Sequence, residues 1–110
     1  MLADVKNRMA TYITHWCKDN SNVAIWGSGE HTVALLGDFD LTNCRIQFII
    51  DSNEIMWGKE KFGLKIVSPD TLKTQPVDEI LISSYAYEEE INKQISAIDN
   101  AVIIKKLYAD

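Results

Sequence analysis

A short apolar run, Val23-Ala24-Ile25-Trp26, breaks off into Gly27-Ser28-Gly29, and Glu30-His31-Thr32-Val33-Ala34-Leu35-Leu36 follows with the pattern of a helix. A strand, a tight glycine turn and a helix start packed into so few residues commit the chain to a layered α/β architecture. This is the local arrangement that holds phosphates in doubly wound sheets. At such a turn the first helical N–H groups point outward without partners, and the helix dipole adds partial positive charge beside them. A second apolar run, Ile46 to Ile50, ends in Asp51, close to where an acidic side chain commonly meets a ribose hydroxyl.

The rest of the chain alternates in the same way. Leu2, Val5, Met9, Tyr12, Ile13 and Trp16 recur at spacings of three and four, the mark of an amphipathic helix over residues 1–20 that packs on the domain. Strands are expected at Val23 to Trp26, Arg45 to Ile50, Glu79 to Ser83 and Ala101 to Lys105. The helix after the glycine turn is expected to stop at Gly37, and Arg45 to Ile50 reads as buried on both faces. Leu64 to Val67 reads as a short strand or β-arm, and Lys59, Lys61 and Lys65 as a solvated loop face. Ser68-Pro69 caps a short helix. A third helix covers Glu88 to Ile98, with Ile91, Ile95 and Ile98 as its buried stripe and Glu88, Glu89 and Glu90 favouring the dipole at its start. Strands alternating with helices give a mostly parallel sheet in the order 2-1-3-4, helices on both faces, and a three-layer domain spanning residues 1–110.

In that arrangement the strand order reverses at the first strand, where open α/β sheets bind ligands. Three segments converge there: Gly27, Ser28, Gly29, Glu30, His31 and Thr32; Asp51, Ser52 and Asn53; and Ser83, Ser84, Tyr85 and Tyr87. Each has an ordinary structural reading beside the binding one. The glycines permit a turn, Asp51 forms an Asx turn, the tyrosines pack over a sheet edge, and His31 caps a helix. Thr32 takes the place usually filled by Gly or Ala, where its branched side chain crowds close helix–strand packing. Glu30 competes with phosphate for the helix N–H groups and suits a sugar-bearing group better. The helix end is expected to lower the His31 pKa.

These blocks resemble the C-terminal Rossmann-like domain of S-adenosylmethionine-dependent sugar C-methyltransferases and related nucleotide-sugar-binding half-domains. The likeness runs through Ile25-Trp26-Gly27-Ser28-Gly29-Glu30-His31 followed by Leu35-Leu36, then Asp51-Ser52-Asn53 with Gly58, Ile66-Val67-Ser68-Pro69, and Ile80-Leu81-Ile82-Ser83-Ser84-Tyr85-Ala86-Tyr87-Glu88-Glu89-Glu90-Ile91. The family often has Pro after the Asp-Ser-Asn block, where this chain has Glu54. The resemblance implies a Rossmann-like module for a nucleotide or nucleotide-sugar, accessory to a sugar-modifying transferase. The competing reading is a structural or interaction domain that has lost its ligand. An enzyme whose two identical subunits share one site, with His31 or Tyr85 moving a proton, ranks last.

Composition removes other classes. The chain has 110 residues and a formal charge of −5, poor provision for the Lys and Arg contacts that drive nucleic-acid binding. No apolar run approaches the roughly 20 residues of a membrane span, and no secretory signal is legible, so a cytoplasmic protein is expected. His15 and His31 are the only histidines, and no Cys or His spacing fits a metal site. Cys17 and Cys44 lie far apart in sequence and read as reduced thiols, with a disulfide as the alternative. No cofactor, base or sugar is named by the residues. The partners expected are a nucleotide-type ligand and either a transferase or a second copy of the chain.

Overall fold

The computed structural model describes residues 2–109. Its elements are α1 (Ala3–Asp19), β1 (Asn22–Trp26), α2 (Glu30–Asp38), β2 (Arg45–Ile50), β3 (Glu60–Lys61), β4 (Leu64–Val67), β5 (Glu79–Ile82), α3 (Glu88–Ile98) and β6 (Ile103–Lys105), with 3-10 turns at Glu54–Met56 and Pro69–Lys73. The sheet runs β3-β4-β2-β1-β5-β6. β2, β1, β5 and β6 are parallel neighbours in the order read from the sequence.

Alternation along the central strands divides the core. Val23 and Ile25 of β1, Ile49 of β2 and Leu81 of β5 face one side and pack with Val5, Met9 and Trp16 of α1 and Leu35 of α2. Ala24 and Trp26, Phe48 and Ile50, and Ile80 and Ile82 face the other, against Leu72 and Ile95. Successive strand residues point to opposite faces, so a sheet covered on both sides needs apolar residues at every position. The amphipathic N-terminal helix therefore covers one face, as its periodicity requires. Asn20, with φ of 54°, ends it in the left-handed conformation, its N–H bonded to the Trp16 carbonyl.

Four local expectations need correction. Gly37 does not stop α2, which runs one residue further and ends as Phe39 turns extended and packs against the core. Only Phe48 to Ile50 of β2 are buried; Arg45 and Gln47 are exposed because β4 pairs only with the end of the strand. Leu64–Val67, read as a short strand or β-arm, is a strand, parallel to β2, and extends the four-strand order. The last strand is shorter than Ala101 to Lys105, beginning at Ile103. In α3, Ile95 alone of the three isoleucines is fully buried, with Ile91 and Ile98 packed at the margin.

β3 and β4 form a hairpin across Phe62 and Gly63, with φ of 53° and 77°. Positive φ at both loop positions is the turn whose twist matches paired strands, and it favours Asn or Gly over Phe. Phe62→Asn should raise stability by about 0.5 kcal/mol, measured by denaturant melts. Gly27 has the opposite tolerance. With φ of 123°, any Cβ there would lie 2.6 Å from the Ser83 carbonyl oxygen. Gly27→Ala should cost about 2 kcal/mol or more, read as a fall in Tm of roughly 8 °C or more.

Candidate functional site

β1 ends between its two neighbours: the Gly27 N–H donates to the Ile50 carbonyl at 2.8 Å, and the Ser83 N–H donates to the Trp26 carbonyl at 2.9 Å. This pinch is what Gly27 serves. Gly29 is different. Its backbone is extended, with φ of −86°, and a Cβ there would meet nothing within 4 Å. Neither strain nor packing demands a glycine at that position. Gly29 precedes the first turn of α2, and the amide N–H groups of Gly29, Glu30 and His31 have no hydrogen-bond partner among the described residues. Those groups carry the positive end of the helix dipole.

The amide just before them is already occupied. Asp51 Oδ2 accepts from the Ser28 N–H at 3.1 Å and from the Ser28 hydroxyl in a short bond, while Oδ1 accepts from the Asn53 N–H at 2.8 Å. Asp51 thus forms the Asx turn and latches the glycine turn to the end of β2. Trp57, only 40% exposed, donates its indole N–H to the Asp51 carbonyl at 2.7 Å. Lys61 belongs to the β3–β4 arm and is not simply a solvated lysine: its ammonium donates to the Ser28 carbonyl. A cation is thereby set against the glycine turn by a hairpin 33 residues away.

Thr32 is fully buried and does not crowd the helix; it joins it to the sheet. Its hydroxyl lies 2.6 Å from the Gly27 carbonyl and 2.8 Å from Ser83 Oγ. A hydroxyl has one proton, and a carbonyl can only accept, so Thr32 donates to Gly27 and Ser83 donates to Thr32. Ser83 Oγ must then accept from His31 Nδ1, 2.7 Å away, which leaves Nε2 to accept from the Tyr108 hydroxyl. The chain Tyr108→His31→Ser83→Thr32→Gly27 is ordered in one direction and selects the Nδ1–H tautomer of a neutral imidazole.

Protonation states agree with that order. The His31 pKa is lowered by burial, partly opposed by the Glu88 carboxylate. The direction matches the sequence reading, but desolvation is the cause. Tyr108 is raised by burial first, then by Glu88 and Tyr85, so its phenol keeps the proton it donates.

Tyr108 escaped the sequence analysis because its position is fixed by long-range contacts. Glu88, buried at the start of α3, accepts the N–H groups of Leu107 at 2.8 Å, Tyr108 at 3.1 Å and Ala109 at 2.7 Å. Its role is to anchor the chain after β6, beyond any dipole effect. Arg8 donates to the Ala109 carbonyl, and Tyr12 donates to the Lys106 carbonyl at 2.6 Å. Tyr85 then packs edge-on against Tyr108, ring centroids 4.9 Å apart.

The result is a crevice of about 480 Å³ beyond the ends of β1 and β5. Gly27 to His31, Asp51, Ser52 and Ser83 to Tyr87 line it, as do Glu90, Ile91 and Gln94 of α3. Thr32 and Asn53 lie behind the wall instead: one is buried in the hydroxyl chain, the other caps the Glu54–Met56 turn through Ile55 N–H. Ser84 accepts the Tyr87 N–H at 3.1 Å, and Ser52 donates to Gln94 at 3.0 Å. Tyr85 and Tyr87 are 73% and 60% exposed, so both rings are open to a ligand. Among the described residues, no group of three or more His, Cys, Asp or Glu side chains is placed to hold a metal ion, and no helix is long and apolar enough to cross a membrane.

The family described as C2185-like, N-terminal, matches residues 19–104. No curated protein matches the chain. Among solved structures, UDP-D-quinovosamine 4-dehydrogenase from Vibrio fischeri is similar at 15% identity and a TM-score of 0.55, over 77% of this chain and 75% of that one. A Rex-family repressor, RSP, is similar at 13% identity and a TM-score of 0.53, over 77% of this chain and 51% of its own. RSP in complex with NADH gives the same identity and TM-score. The chain spans about half the length of that repressor. At these identities the likeness establishes a Rossmann-like fold.

The half-buried His31 gives a pH dependence of known sign. Its folded pKa lies below the unfolded value, so the unfolded chain binds the extra proton first. The stabilisation is full above the unfolded histidine pKa of about 6.5 and is lost as pH falls below it. Denaturant melts between pH 7 and pH 5 should show declining stability, and His31→Gln should flatten that slope. An unchanged slope in the variant would mean that His31 is not held neutral.

Proposed function

The chain belongs to the C2185-like, N-terminal family, and from that premise we propose that its crevice binds a nucleotide-type ligand, with a nucleotide-sugar as the preferred class. The observation that carries this reading is Gly29. It is a glycine that neither conformation nor packing requires, at the mouth of the crevice, next to three unpartnered helix N–H groups. Leaving out a side chain there keeps the helix N-terminus open to a diphosphate. Lys61 adds a cation beside the same turn. Tyr85 and Tyr87 offer exposed faces for a base or a sugar, and Glu30 and Glu90 supply acceptors for sugar hydroxyls. The related folds agree with such a ligand: one is a UDP-sugar dehydrogenase and another is held in complex with NADH.

The role proposed for the module is accessory to a sugar-modifying transferase, acting in trans or as a homodimer within the cytoplasm, in line with the resemblance to sugar C-methyltransferases. Nucleic acid is not its partner in this reading. A related repressor was solved with operator DNA, but a chain with a net charge of −5 is a poor match for phosphate backbones. A second reading, an interaction domain without a ligand, draws on Asp51. Its carboxylate already takes both donors of Ser28 at the place where a phosphate would compete for them.

Thermal shift across NAD(H), nucleoside diphosphates and UDP-sugars separates the two. A ligand at 100 times its Kd stabilises by about 2.7 kcal/mol, enough to move Tm by roughly 10 °C. Gly29→Val should abolish that shift while the unliganded Tm falls only by the few degrees that a poorer helix N-cap costs, because its Cβ enters open space. Glu30→Gln tests the sugar contact: UDP-sugar binding should weaken while binding of a bare nucleoside diphosphate holds or tightens. Absence of a shift with every compound leaves the interaction domain as the reading.

A further inference from the structure

Cys17 and Cys44 are 27 residues apart in sequence, yet their Sγ atoms lie 3.1 Å from each other. Cys17 is in the last turn of α1, and Cys44 immediately precedes β2. The pair is therefore at the N-terminal edge of the sheet, away from the crevice. No disulfide joins them; both are free thiols. A disulfide needs about 2.05 Å between sulfurs, so an approach of about 1 Å would close the bond. The two environments differ. Cys17 is exposed, with its sulfur 3.6 Å from the Asn43 carbonyl, whereas Cys44 is half-buried beside the core.

We propose that Cys17 and Cys44 form a dithiol modification site that a low-molecular-weight disulfide converts to an intramolecular Cys17–Cys44 bond. Exposure makes Cys17 the point of attack. Its thiolate sulfur bonds to one sulfur of the reagent, whose S–S bond breaks and releases the first small thiol. Cys44 then gives its proton to solvent as its sulfur bonds to Cys17, and the second small thiol leaves. The protein pair loses two electrons and two protons in total, and the reagent gains them as two thiols.

The resting state of the pair fits these roles. Burial, followed by the neighbouring Cys17 sulfur and Asp40, pushes the Cys44 thiol up to about 12. Cys44 therefore keeps its proton, and the exposed Cys17 is the nucleophile. The bond would tie the end of α1, where Trp16 is fully buried, to the start of β2.

The test is equilibration of the full chain with reduced and oxidised glutathione at graded ratios, followed by intact-mass measurement, peptide mapping and melting. The expected product is a monomer lighter by two hydrogens, with Cys17 and Cys44 in one linked peptide and a Tm raised by roughly 10 °C, reversed by dithiothreitol. Cys44→Ser should stop at a glutathione adduct on Cys17, and Cys17→Ser should leave Cys44 unmodified. Peptide mapping of the parent chain decides the matter even if a variant fails to fold. Two unmodified thiols under oxidising ratios, a stable adduct on each cysteine, or disulfide-linked dimers would overturn the proposal.

Discussion

The close approach of β1 to β5 at Gly27 and Ser83 is the constraint on which the crevice depends. The Ser83 carbonyl occupies the space a Gly27 side chain would need, so the two strand ends converge with no spacer between them. That convergence puts Ser83 Oγ within reach of Thr32 and His31 from α2. A sheet edge, a helix start and an imidazole are thereby joined by hydroxyl groups that each have one proton to give. Since the last acceptor is a carbonyl, the direction of every bond back to Tyr108 follows, and with it the tautomer of His31.

The same turn is held from three other directions. Asp51 latches Ser28 from the end of β2, Lys61 reaches it from the hairpin, and the anchored tail supplies Tyr108 to the ring of His31. The Asp51 latch has two consequences of opposite sign for a ligand. It fixes the loop in one conformation, which lowers the ordering cost of binding. It also consumes one of the N–H groups that a diphosphate would use. What stays open is the first turn of α2 itself, and its Gly29 keeps the approach clear.

Much of this was legible in one dimension. The apolar runs gave the four central strands and their order, and the period of Val5, Met9 and Trp16 placed α1 on one face of the sheet. The three segments around Ser28, Ser52 and Tyr85 were expected at one edge and do line one crevice. The misses have a common cause. Arg45 and Gln47 are exposed because β4 pairs only with the end of β2, which the apolar run of that strand does not reveal. Lys61 stood in a lysine-rich stretch that looked solvated, and the turn at Phe62-Gly63 aims it inward. Glu88 looked like its neighbours Glu89 and Glu90, and only burial against the tail distinguishes it.

The sequence by itself determined that the chain folds as a covered parallel sheet with a glycine turn at its switch point. Those features are written in nearest-neighbour periodicity and in residues whose backbone freedom is local. Tertiary structure alone decided which glycine is structural and which is open, that Asp51 serves the turn, that Tyr108 joins His31, and that two distant thiols meet. Each of these depends on hydrogen bonds or contacts between residues 23 to 77 positions apart. Such contacts exist only once the layers have packed, and no local pattern encodes them.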